Sequence, residues 1–220
     1  MSRPRTTIAN PPALLDPAQV PKPFRWADLF GNDHPVELEV GSGKGLFLSN
    51  AGAAHPEVNY FGIEIARKYA HAAAQRACKN GLENVRVWPG DAKPVLAEMI
   101  PVHSLRAVHV YFPDPWWKKR HKKRRVFSES LVDDISRLLV PGGLLSVATD
   151  VEEYFQVIRE LVASRPSFRE LPQIEVGDPQ HELDYLTNFE RKFRIQGRPI
   201  YRVQYTFDPA AVVELKTADG

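Results

Sequence analysis

Short apolar runs of β type alternate with helical segments along most of the chain, and this alternation limits the fold more than any other feature. Residues 36–40, 59–65, 85–88, 107–111 and 143–149 read as strands. Between them, residues 45–54, 66–80, a short stretch around 95–99, and residues 128–139 and 152–164 read as helices. Gly81 closes the alanine-rich second helix, Ser128 is placed to cap another, and Phe127 and Val132 are placed to staple it. A last strand is expected over residues 201–207. Strands that alternate with helices pack as a doubly wound, mainly parallel sheet with helices on both faces.

The chain of 220 residues is long enough for one α/β domain with a full core and short for two. The first 23 residues hold six prolines, a density that opposes regular structure, so residues 1–34 are expected to form an arm, extended or disordered at its start. A short amphipathic piece is expected around residues 24–30, and residues 35–220 are expected to form a single domain. No apolar run approaches the length of a membrane span, and Met-Ser-Arg-Pro lacks the apolar core of a secretory signal. The lone Cys78 permits no intrachain disulfide and reads as a packing residue. A cytoplasmic location is the resulting expectation.

In a doubly wound sheet, ligands bind beyond the carboxyl ends of the strands. After the first strand comes Glu39-Val40-Gly41-Ser42-Gly43-Lys44-Gly45. The spacing fails a phosphate-binding P-loop, because Lys44 is followed by Gly45 where Ser or Thr is needed. It also fails a dinucleotide fingerprint, which needs glycine where Leu46 stands. A shorter Gly-x-Gly-x-Gly after an acid fits a cofactor without a pyrophosphate, with Gly41 and Gly43 letting the backbone approach it. Glu64 ends the second strand, where a carboxylate can accept both ribose hydroxyls. Asp91 follows the third, in reach of an adenine amino group, and Glu39 suits a cationic part of the ligand. Three acids after three successive strands repel phosphate and favour adenosine linked to a charged amino acid.

The fourth strand runs into Tyr111-Phe112-Pro113-Asp114-Pro115-Trp116-Trp117. Two prolines restrict the backbone around Asp114. Directly after it, Lys118-Lys119-Arg120-His121-Lys122-Lys123-Arg124-Arg125 holds seven of the 29 Lys and Arg residues, leaving 22 against 27 acidic residues elsewhere. One basic segment on an otherwise acidic chain, beside aromatic residues, fits phosphates and bases of RNA. The alternative is a solvated basic loop next to an aromatic corner. The seven histidines show no metal-ligand spacing, so no metal is expected, and His109 reads as a hydrogen-bonded core residue.

At these residues the sequence resembles the bacterial-type tRNA (guanine-N7)-methyltransferases. The resemblance is carried by Glu39 to Gly45, Gly62-Ile63-Glu64, Gly90-Asp91-Ala92, Ala148-Thr149-Asp150, Thr187-Asn188-Phe189-Glu190 and above all Phe112 to Arg125. It implies a Rossmann-like class I methyltransferase fold with a C-terminal antiparallel strand. It further implies S-adenosylmethionine as methyl donor, held by or lying beside Glu39, Glu64, Asp91 and Asp114, and Asp114 as the catalytic residue. Lys118, Asp150, Thr187, Asn188, Phe189 and Glu190 are implied to bind tRNA, alongside Arg120, His121, Lys122, Lys123, Arg124 and Arg125 of the basic run. The product would be N7-methylguanosine in the tRNA variable loop, made without a different protein subunit, by a monomer or homodimer. Three rivals stay open on the residues alone. An exocyclic-amino methyltransferase expects a second proline where Trp116 stands. A non-catalytic RNA-binding protein has no use for the three acids, and a nicotinamide dehydrogenase is disfavoured by Leu46.

Overall fold

The computed structural model describes residues 9–115, 126–172 and 187–211. Seven strands form one sheet in the order β3-β2-β1-β4-β5-β7-β6. They are β1 (Val36–Val40), β2 (Asn59–Glu64), β3 (Val85–Pro89), β4 (Leu105–Tyr111), β5 (Leu139–Thr149), β6 (Phe168–Glu170) and β7 (Tyr201–Phe207). Strands β1 to β5 are mutually parallel, and β7 runs antiparallel to both β5 and β6. The chain builds outward from β1 to β3, then returns to add β4 on the other side of β1. That reversal opens a crevice at the carboxyl ends of β1 and β4.

Among the described residues, seven α-helices accompany the sheet: α1 (Trp26–Phe30), α2 (Leu46–Ala54), α3 (Arg67–Lys79), α4 (Ala92–Pro94), α5 (Glu129–Leu138), α6 (Glu152–Ala163) and α7 (Asn188–Ile195). A π-helical turn, Val95–Met99, continues α4. Strand residues alternate between the faces, as a pleated strand requires. Leu38, Phe61, Val108 and Leu145 join Ile135 and Leu138 of α5 and Ile158 and Val162 of α6 in one core. Tyr60, Val85 and Val87 join Phe47 of α2 and Ala70, Ala73, Ala74 and Ala77 of α3 in the other. Small alanines on α3 bring its axis close to the sheet. Among the described residues no helix is long and apolar enough to cross a membrane.

The strands at residues 36–40 and 201–207 have the bounds expected of them. Ser128 caps α5, its Oγ accepting from the Leu131 N–H at 3.3 Å. Strand β5 begins earlier than residue 143, directly at the end of α5, and its register against β4 shifts before Leu144. Strand β6 and helix α7 add elements that the periodicity did not mark.

The proline-rich segment is irregular but tied to the sheet at residues 13–15. Val87 donates its N–H to the Ala13 carbonyl (2.7 Å), and Leu15 donates to the Val87 carbonyl (2.9 Å). This covers the edge of β3 that would otherwise present unpaired backbone groups. Phe24 is buried among Trp26, Phe61 and Trp88, with ring centroids 5.4–5.7 Å away. Burial of such a side chain stabilises by roughly 1.5–3 kcal/mol.

Candidate active site at the carboxyl ends of the strands

Sheet topology gathers Glu39, Gly41, Gly43, Glu64 and Asp91 at the ends of the adjacent strands β1, β2 and β3. The loop after β1 turns back at once, with Gly41 and Ser42 both donating to the Ile63 carbonyl, at 2.8 and 3.1 Å. Gly41 and Gly43 adopt φ of 80° and 54°, a region where a side chain would be strained. A Cβ on either would meet no atom within 4 Å, so the backbone there borders open space. Gly45 has a different duty. A Cβ on it would lie 2.6 Å from the Ala73 Cβ, so glycine is what lets α2 start against α3.

The Glu64 carboxylate organises this loop. Its Oε2 accepts from Gly43 N–H and its Oε1 from Ala66 N–H, both at 2.8 Å. Each oxygen retains acceptor capacity beyond those bonds. Glu39 contrasts with it. The residue is 2% exposed, and its Oε2 is buried without a hydrogen-bond partner among the described residues. Burial, and then the nearby charge of Glu64, push its pKa well above the usual carboxylate range. The Ser42 hydroxyl is likewise buried without a partner among the described residues. An unpaired buried acid and hydroxyl beside an open glycine loop fit a ligand that carries a cation and hydrogen-bond donors. Asp91 is exposed, with Oδ1 accepting from Lys93 N–H at 3.1 Å as the cap of α4.

Beneath this crevice lies a buried polar chain. His109 bonds Glu37 Oε2 at 2.9 Å through Nε2 and the Tyr111 hydroxyl at 3.0 Å through Nδ1. His109 is thus a hydrogen-bonded core residue. Burial raises the Glu37 pKa, but the His109 bond and the charges of His109 and Arg106 outweigh it and leave the value lowered. Burial, with the charge of Glu39, raises that of Tyr111, so the phenol stays a neutral hydrogen-bonding group.

At the end of β4, Phe112 takes a left-handed φ of 51° while donating its N–H to the Ala148 carbonyl at 2.7 Å. Such a conformation is costly for a bulky residue and turns the chain sharply before Pro113-Asp114-Pro115. Asp114 is exposed at this turn. Trp116, Trp117 and the run with Lys118, Arg120, His121, Lys122, Lys123, Arg124 and Arg125 lie outside the described residues. The Phe112 ring lies 5.5 Å from the ring of Phe193, which brings α7 over the end of β4. Arg198 stacks on Phe193 at 4.4 Å and pairs with Asp150, the residue after β5.

Thr187 caps α7, its Oγ1 accepting from Glu190 N–H at 3.1 Å. Glu190 is 1% exposed, and its Oε1 accepts from Arg194 Nε at 3.0 Å and from Arg202 of β7. Asn188 and Phe189 open α7, with side chains outside the described residues. The parallel strands and α7 therefore bring Asp114, Asp150, Thr187 and Glu190 to one end of the sheet.

A family model described as "Putative methyltransferase" matches residues 33–203. A protein of Rhodopirellula baltica named tRNA (guanine-N(7)-)-methyltransferase is 46% identical over 92% of this chain and 79% of its own length. One of the same name from Geobacter metallireducens is 34% identical over 95% of both chains. The chain belongs to the tRNA (guanine-N7)-methyltransferase family. Among solved structures, the 16S rRNA methyltransferase KamB superposes with a TM-score of 0.62, at 16% identity, over 84% of this chain and 93% of that one. A SAM-dependent methyltransferase from Aquifex aeolicus gives 0.54 at 14% identity, over 80% and 85%. At these identities the likeness concerns the fold, a class I methyltransferase sheet.

Several residues of the site carried no signal in the sequence. Arg194, Arg198 and Arg202 were three cations among many until α7 and β7 placed them on Glu190 and Asp150. The β7 alternation Arg202, Gln204, Thr206 against Val203, Tyr205, Phe207 marks a polar face, but not its partner. Nor does the sequence mark the left-handed turn at Phe112, since the φ is imposed by the strand end rather than by glycine.

Proposed function

We propose that this protein transfers a methyl group from S-adenosylmethionine to N7 of a guanine in the variable loop of tRNA, in the cytoplasm. The observation that carries the reading is Glu39. A fully buried carboxylate with one oxygen unpaired among the described residues, beside an open glycine loop, favours a ligand that brings its own cation. A cationic amino-acid moiety on an adenosine meets that demand, and a nucleoside phosphate does not. In this reading Glu39 faces the cation, Gly41 and Gly43 border the ligand, Glu64 accepts ribose hydroxyls and Asp91 accepts from the adenine amino group. When bound, S-adenosylmethionine supplies a methyl already activated on a sulfonium.

Guanine N7 carries an in-plane lone pair and no proton, so the chain need not provide a general base. Its task is alignment, and tolerance of the positive charge that develops on the purine. Asp114 suits both, because a carboxylate accepts from the guanine N1–H and amino group and favours a cationic purine. The prolines on either side limit how far it can move. Asp150, Thr187, Asn188, Phe189 and Glu190 are assigned to the base-binding end, and the basic run from Lys118 to Arg125 to tRNA phosphates. Arg198 and Arg202 hold Asp150 and Glu190 in place for this task.

The test is incubation with methyl-labelled S-adenosylmethionine and unmodified tRNA, followed by nucleoside analysis. Label in N7-methylguanosine is the expected result. Label on an exocyclic amino group, or none with the protein folded, overturns the reading.

A further inference from the structure

Helix α3 begins where β2 ends, beside the glycine loop. Its buried positions are Ala70, Ala73, Ala74 and Ala77, which face the sheet at helical spacing. The outward positions are basic. From Ile65 to Leu82 the chain has no acid and holds Arg67, Lys68, Arg76 and Lys79.

One of these cations bonds the loop backbone at Lys44, and another shares an aromatic ring with the Lys44 side chain. Arg76 Nε donates to the Lys44 carbonyl at 3.2 Å. The Lys44 and Lys68 ammonium groups sit 5.6 and 4.9 Å from the centroid of the same Tyr69 ring. Tyr69 is 37% exposed and its neighbour Ile65 is 70% exposed. Among the described residues, Lys44, Arg67, Lys68 and Arg76 have no carboxylate at salt-bridge distance. Elsewhere Arg106, Arg137, Arg159, Arg165, Arg198 and Arg202 each have one. Arg67 and Lys68 also occupy the first turn of α3, where a cation is repelled by the helix dipole and the turn itself holds no acid. Two of these cations share one exposed ring, a third bonds the loop backbone at Lys44 and the fourth adjoins them in sequence, and together they raise a local positive potential that a polyanion would relieve.

We infer that Lys44 of the glycine loop and Arg67, Lys68 and Arg76 of α3 form a second RNA-backbone contact, on the opposite side of the cofactor loop from the Asp114 turn. The inference rests on the tRNA reading above and deepens it. β2 and β4 are separated by two strand spacings, about 10 Å, so one polynucleotide can touch both the α3 surface and the end of β4. A polynucleotide fits better than an acidic protein, because the proposed substrate already lies across the same end of the sheet. Phosphate contacts position the RNA, while the base is read at the Asp114 turn.

The test uses the full chain with Arg67→Ala and Lys68→Ala combined, and Lys79→Ala as control. Lys79 sits at the far end of α3, 12 positions from Arg67 and so about 18 Å away. Lys44 is left intact because it belongs to the glycine loop. tRNA affinity is measured across a salt series, with S-adenosylmethionine affinity and the single-turnover rate at saturating tRNA alongside. The double variant is expected to bind tRNA more weakly, with the log–log salt slope reduced by about 0.7–0.9 for each phosphate that is no longer neutralised. Cofactor affinity and the saturated rate should stay at wild-type values, and Lys79→Ala should match wild type throughout. A double variant with wild-type affinity and slope overturns the α3 surface while leaving the tRNA reading intact. A wild-type protein that shows no salt-dependent tRNA binding overturns both.

Discussion

Replacing Glu39 with glutamine separates the cost of a buried acid from the use made of it. Glu39 is 2% exposed, one oxygen lacks a partner among the described residues, and burial raises its pKa well above 4.5. A carboxyl with a raised folded pKa stabilises the fold relative to its unfolded value only while it is protonated. That contribution is complete below about pH 4.5 and is lost as pH rises through the raised value. Above it, the free protein carries a desolvated, under-paired anion. A buried unsatisfied group costs about 1–3 kcal/mol, and a charged one more. Glu39→Gln keeps the shape and replaces the charge with a neutral amide. It should therefore stabilise the ligand-free protein by about 1–3 kcal/mol at neutral pH, or about 2–4 °C in Tm per kcal/mol at this size. The same change removes a charge-assisted contact of about 1.5–3 kcal/mol, so S-adenosylmethionine should bind roughly 10- to 150-fold more weakly. Calorimetric melts of both proteins between about pH 4 and about pH 8 should converge at the acid end and separate as pH rises. Parallel melts across that range would rule out a buried charge at Glu39, and wild-type cofactor affinity in the variant would take that charge out of the ligand site.

Glu64→Ala removes the acceptor of both Gly43 N–H and Ala66 N–H. Calorimetric titration should show cofactor affinity reduced by about 1.5–3 kcal/mol or more in a folded protein, and unchanged affinity would take Glu64 out of the site. Asp114→Asn is expected to lower the single-turnover methylation rate by roughly a hundredfold or more with little change in tRNA affinity. A near-normal rate would end its catalytic assignment. Glu190→Ala leaves Arg194 and Arg202 without their shared carboxylate. Chemical denaturation should report a loss of about 3–5 kcal/mol, and a loss under about 1 kcal/mol would mean that the cluster does not anchor α7. Glu37 has a lowered pKa, so its contribution is present above its ordinary 4.5 and lost as pH falls through the lower value. Glu37→Gln should flatten the acid limb of the stability curve, and an unchanged limb would contradict the His109 pairing.

The left half of the sheet and its cofactor end were legible because they depend on local chemistry. Strand period, the glycine spacing and an acid after each of three strands are all properties of contiguous residues. Helix α3 was readable from its alanines and from Gly81 beyond its end. The right half depends on distant partners. β6 is three residues long and exists because Arg169 and Glu170 pair with β7. Helix α7 reads Asn-Phe-Glu-Arg-Lys-Phe-Arg-Ile, too charged to suggest burial until Arg202 meets Glu190. The irregular backbone of the proline-rich arm follows from its missing donors. Its docking was not legible, because it rests on distant partners such as the backbone of Val87 and Met99 and the rings that enclose Phe24. For Asp114, sequence named the residue and its rigid neighbours, while the left-handed Phe112 that turns the chain there depends on its backbone bond to the distant Ala148.

Attack by a guanine N7 is put to the test by a single substitution in the substrate. Two tRNAs are compared, identical except that one carries 7-deazaguanosine at the variable-loop position, which lacks the N7 lone pair. Methyl transfer from labelled S-adenosylmethionine to the guanosine tRNA is expected, and none to its 7-deaza counterpart, with both bound comparably. Equal transfer to the 7-deaza tRNA would contradict it.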